Sequence, residues 1–150
     1  MSSNPLIERV NAAQTVFKDF VFCPFDWGKA DCAHLAAANL IALGYPDPLA
    51  KIRRYSTESG AKRALLKSGH ERIEDFLDNT VGLSRIPPAR ALPGDIVGLP
   101  GEGDWTALGV VIDADRVLAF VDYGSGVRGE LGSLNAATKA WSAPPLGRAT

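Results

Sequence analysis

From Ala36 to Leu43 the only polar side chain is Asn39, so a helix here is apolar nearly all round. Such a helix belongs at the centre of a fold, and its alanines let other elements approach closely. The sequence also marks its ends. Gly28 permits a turn that a Cβ would resist, and Asp31 stands where a helix N-cap belongs, which puts Cys32 in the first turn. Gly44, Tyr45 and Pro46 follow in the usual order of C′ glycine and later proline. The expected helix runs from Cys32 to Leu43, and the rest of the chain must pack around it.

Cys32 has two readings. At a helix N-terminus the free amide N–H groups and the positive end of the dipole favour a thiolate, as a nucleophilic cysteine requires. Cysteine is equally a small hydrophobe that is often simply buried.

The composition bounds the remaining possibilities. With 150 residues, 46% of them hydrophobic and 22% charged, the chain fits one globular domain over residues 1–150 that can form a core without a metal or disulfide. Sixteen basic against 17 acidic residues give a net charge of −1 with no block of like charges, so nothing points to nucleic acid. No segment approaches the length of a membrane span, and Met1-Ser2-Ser3-Asn4-Pro5 opens without a leader pattern, so synthesis in a cytosol is expected. In a reducing cytosol Cys23 and Cys32 are expected as thiols. Cys23, Cys32 and His34 form an incomplete set with a spacing unlike zinc frames, so neither metal nor cofactor is expected.

Ahead of the central helix, Leu6, Ile7, Val10, Ala13, Val16 and Phe17 recur at helical spacing after Pro5 and predict an amphipathic helix buried on that face. Phe20 to Phe25 reads as an extended approach to the Cys32 turn. A third helix is expected from Glu58 to Gly69, capped by Ser56 or Thr57, then a short acidic one from Ile73 to Leu77. The stretch from Asp78 to Pro93 shows no period and predicts a long surface loop. From Gly94 onward come β-type runs: Ile96–Leu99, Ala107–Ile112, Val117–Val121, a weaker Gly126–Gly129 and a tail strand near Trp141. Asp113 to Arg116 forms a hairpin connection. Helices first and antiparallel strands second is an α+β signature.

Several motifs, in this order, carry a resemblance: Trp27-Gly28, Asp31-Cys32, Tyr55 with Gly60-Ala61, Pro93-Gly94-Asp95-Ile96-Val97, Leu108-Gly109-Val110, Ala119-Phe120-Val121, Gly126-Val127 and Ala140-Trp141. Together they resemble the NlpC-type papain-fold cysteine peptidases of bacterial cell walls and phage tails, closest to a phage and prophage tail branch. The resemblance implies a papain-like fold in which N-terminal helices pack on a short C-terminal antiparallel sheet. It makes Cys32 an actual or vestigial nucleophile, with Trp27, Gly28 and Asp31 lining its site. In active members a histidine precedes the Val-Gly-Ile-like strand core and a polar residue on the next strand orients it. Here those positions are Ala107 and Ala119. Without an imidazole the thiol lacks its general base and the leaving amine its acid, a loss of about 10²–10⁴-fold.

His34 lies two residues beyond Cys32 on the same helix, so its ring should point away from the sulfur. His70 follows the third helix in a polar turn. Asp95, after Pro93-Gly94, is expected to hydrogen-bond its own turn. Trp105 either anchors a partner or caps the sheet. The resemblance leads to a degenerate module in a phage tail tip or hub, made in a bacterial host and carried in the virion, with other tail proteins as partners. Its alternative is an active peptidoglycan-hydrolysing peptidase or amidase that uses Cys32 and an unconventional base.

Overall fold

The structure, a computed structural model, describes residues 4–101, 105–122, 124 and 126–146. Met1 to Ser3, read above for a leader, and residues 102–104 of the loop before Trp105 lie outside the described residues.

Helix α1 spans Pro5–Phe20, with Pro5 in its first turn and the Asn4 side chain accepting from the Leu6 amide. Its buried face matches the predicted one in its second half, where Ala13 and Val16 are buried and Phe17 packs on the core, but not in its first half. Arg9, Ala12, Ala13 and Val16 are buried, whereas Leu6, Ile7 and Val10 are 53%, 57% and 38% exposed. Arg9 sets this rotation, because its Nη1 donates to Asp95 Oδ1 at 2.6 Å with both side chains buried. A buried charge must keep its partner, and small alanines beside it let α1 close against the central helix.

That central helix, α2, spans Cys32–Ala42, and Leu43 closes it. Leu35, Ala36 and Leu40 are buried on it, and its polar break is explained by Asn39 Nδ2 donating to the Gly94 carbonyl at 2.6 Å. Helix α3 is Glu58–Lys67, capped by Thr57, whose hydroxyl accepts from the Gly60 amide.

Helix α4, Ile73–Asp75, continues into a π-helical turn, Phe76–Val81, that ends at Gly82 with φ 78°. The predicted loop from Asp78 to Pro93 therefore holds ordered structure: the rest of this turn, strand β1 at Ser84–Ile86 and a 3₁₀ turn at Pro88–Arg90. Distant partners organise it. Asp78 accepts two bonds from Arg85 at 2.9 Å and one from Trp141 Nε1 at 2.8 Å, while the Arg85 guanidinium lies 4.8 Å over the Trp141 ring. No local period can reveal contacts made across sixty residues of chain.

The remaining strands are β2 Ile96–Pro100, β3 Thr106–Val111, β4 Arg116–Asp122, β5 Val127–Ser133 and β6 Lys139–Ser142. All pairs are antiparallel in the order β1-β6-β2-β3-β4-β5, and the fold is α+β. The hairpin between β3 and β4 closes as expected, with Asp113 Oδ1 accepting from the amides of Asp115 and Arg116. One face of the sheet gives Leu108, Val110, Leu118 and Trp141 to the core shared with α1 and α2. The other face holds Val97, Val111 and Val117 beneath Ala91 and Leu134. Asp95 does bond its own turn, accepting from the Leu92 amide, and it also accepts from Ala143 beyond β6. One carboxylate thus ties α1, the entry to β2 and the end of β6 together.

Candidate functional site

The turn before α2 is built from backbone bonds and one carboxylate. Asp26 and Ala30 exchange both backbone bonds, at 2.9 and 2.8 Å, and Gly28 between them has φ 81°. A Cβ at Gly28 would collide with the Tyr55 carbonyl, so glycine is needed for both conformation and close approach. Asp31 then collects four donors: the Gly28 amide at 3.0 Å, the His34 amide at 2.9 Å, His34 Nδ1 at 2.7 Å and the Tyr55 hydroxyl at 2.6 Å. Burial by itself raises the Asp31 pKa, but the bonds from His34, Tyr55 and the amides outweigh it and leave the carboxyl below its ordinary value. The hydrogen bond to Asp31 raises the His34 pKa, while burial and the same carboxylate raise that of the Tyr55 hydroxyl.

This network holds Cys32 in the wall of a cleft. Strands β3 and β4 pair only at Val110 with Leu118 and Val111 with Val117. Beyond that point β3 stays with β2 and β4 stays with β5, and the sheet splits. The resulting cleft of about 700 Å³ is lined by Cys32, Trp27, Trp105, Phe120, Ala107 and Ala119. Behind the thiol lies a small apolar cavity of about 40 Å³ whose walls include Trp27, Asp31, Tyr55, Phe76 and Trp105.

The surroundings of the sulfur favour the thiol over the thiolate. Desolvation pushes the Cys32 pKa up to about 11; the Leu108 amide beside the sulfur lowers it, and the neighbouring Asp31 charge raises it again. Of the two readings of Cys32 these surroundings favour the small buried hydrophobe, because the apolar walls and Asp31 outweigh the amide dipoles. Both Cys23 and Cys32 are free thiols.

Trp27, Asp31, Cys32, Ala107 and Ala119 come together around the cleft and its cavity, whereas Gly28 contributes through its backbone and lines neither. His34 turns to Asp31 and lines a separate groove. His70 Nε2 bonds the Thr80 hydroxyl at 2.7 Å and its ring stands edge-on to Phe76. Trp105 forms a wall of the cleft, with the Lys62 ammonium 5.6 Å from its ring. No local pattern marks Tyr55 as a partner of Asp31, since twenty-four positions separate them. The aromatic run Phe20 to Phe25 was a usable signal for the cleft wall: Phe25 packs edge-on against both Trp27 and Phe120.

Among the described residues no group of three or more His, Cys, Asp or Glu side chains could hold a metal ion, and no helix is long and apolar enough to cross a membrane. No curated protein matches the chain. Residues 8–143, from the first turns of α1 to the residue after β6, match the model of a family described as a domain of unknown function, DUF6950, and the chain belongs to that family.

Proposed function

We propose that this chain is a degenerate NlpC-like, papain-fold module that serves as a structural or binding component of a phage or prophage tail, at the tip or hub. The observation that carries the reading is the composition of the cleft. Cys32 opens into it, yet Ala107 and Ala119 occupy the positions where the resemblance calls for a base and its orienting group. Neither of the chain's two histidines is among the residues lining the cleft or the cavity behind it. With its pKa pushed up to about 11 the thiol presents almost no thiolate at neutral pH, and the ionisable side chains that share the cleft with it, Glu58 and Asp122, are carboxyl groups rather than the imidazole the resemblance calls for.

A central helix beginning at Cys32, packed on an antiparallel sheet that splits beside the thiol, supports the papain-like comparison. The tail assignment, the other tail proteins as partners and a place in the virion rest on the resemblance. Aromatic walls of Trp27, Trp105 and Phe120 suit a cleft kept for contact rather than turnover.

The test is incubation of the purified chain with bacterial sacculi and chromatography of the soluble products. No muropeptide release is expected. Release that disappears in Cys32→Ala would defeat this reading and establish the active peptidoglycan hydrolase in its place.

A further inference from the structure

A second groove of about 860 Å³ runs between α2 and the segment from Asp47 to Ser56, and shares Trp27, Leu49, Ile52 and Tyr55 with the small cavity that Cys32 lines. We propose that this groove binds an oxyanion, a carboxylate or a phosphate, carried on an apolar body. The inference does not depend on what Cys32 does.

The anion-recognising group is His34. Asp31, 1% exposed, fixes the ring through Nδ1 and leaves Nε2 with no hydrogen bond among the described residues. This is how a buried carboxylate orients an imidazole and stabilises its charged form. Lys29, Arg53 and Arg54 line the same groove, and none of the three makes a salt bridge among the described residues. Two carboxylates face them, Asp26 and Asp47, and Asp47 already accepts from the Leu49 amide. Three fixed cations and an imidazolium against two exposed carboxylates leave the groove positive even with Asp31 counted. Guanidinium forks and an imidazolium N–H match an oxyanion rather than a neutral amide.

The rest of the wall is hydrocarbon. Ala37, Ala38, Ile41 and Leu49 form an apolar side, and Ile41 is 49% exposed there. A bare inorganic ion would leave that side wet, whereas an aromatic or aliphatic acid covers it. The groove lies within the range of ligand sites, about 300–1,000 Å³.

The protonation of His34 makes binding pH-dependent. Asp31, Tyr55 and Asp47 face or influence the ring, with Asp26, Lys29, Arg53 and Arg54 around the groove. Of these, His34 is the group that the hydrogen bond to Asp31 holds in its charged form to higher pH than a free imidazole. Affinity is therefore full while the ring is charged and falls as pH rises through its raised pKa.

The experiment is an NMR titration of the intact chain with benzoate and with phenyl phosphate, using benzamide as the uncharged control. Saturable shifts are expected at the His34 ring and the Arg53 and Arg54 signals with at least one anion, and none with benzamide. The tighter anion identifies the ligand as carboxylate or phosphate. The exposed double substitution Arg53→Ala/Arg54→Ala should weaken binding by about tenfold. The decline with pH is read on the unmodified chain, so it does not depend on any variant folding. Failure of both anions to give saturable shifts, an equal response to benzamide, or binding indifferent to pH and to the double substitution would each overturn the proposal.

Discussion

Asp31 and Cys32 are neighbours in the chain with opposite electrostatic fates. Asp31 is buried but surrounded by donors, so it stays ionised, and its charge joins desolvation in keeping the adjacent thiol protonated. Raising a thiol from 9.0 to about 11 reduces its thiolate at pH 8 by about a hundredfold. The greater nucleophilicity of a more basic thiolate recovers about tenfold of that. Cys32 should therefore react with iodoacetamide at least about tenfold more slowly in the folded chain than in urea, read by peptide mass spectrometry to separate it from Cys23. The sign follows from the shift. Because the folded pKa is the higher one, the neutral thiol stabilises the fold below the unfolded value and that contribution is lost as pH rises towards 11. A fast Cys32 at pH 8 would mean an activated thiol and would reopen the peptidase reading.

At the scale of elements, α2 is central because α1 and the core face of the sheet both pack on it. Leu40 is fully buried, packed in the core that includes Leu108 and Leu118 of the sheet and Val16 of α1. Leu40→Ala removes methyl groups from a site walled by three elements, which cannot all move in to fill the gap. A loss of about 2–5 kcal/mol is expected in urea denaturation. A loss below about 0.5 kcal/mol would place the helix at the periphery. The rotation of α1 belongs to this scale as well. Leu6, Ile7 and Val10 face outward because the Arg9 and Asp95 pair and the stripe Ala12, Ala13 and Val16 decide which side meets α2. Hydrophobic spacing identified the helix, but a buried ion pair decided its orientation.

For the whole molecule, the two grooves flank one turn and share Trp27. If the chain serves a tail as a structural part, particles carrying Cys32→Ala should assemble and infect nearly as well as the parent, whereas deletion of the whole chain should abolish assembly or adsorption. Plaque counts and electron microscopy of both read this directly. Normal particles that lose infectivity only when the thiol is removed would instead assign the chain an enzymatic task.

How much of this was legible depended on the range of the interaction. The N-caps at Asp31 and Thr57, the Gly28 turn, the Asp113 hairpin and the main runs of β2, β3 and β4 are local, each set by side chains within a few residues of one another. Sequence by itself determined those, and with them the α+β order and the place of Cys32 at the head of a buried helix. Tertiary structure decided the rest. The ordered segment between Asp78 and Pro93 depends on Trp141, and the burial of Arg9 depends on Asp95. The Asp31 network depends on Tyr55, and the high pKa of Cys32 on walls brought from four separate parts of the chain. Desolvation and long-range charge pairing depend on which distant groups share a volume, and local periodicity and capping carry no information about that.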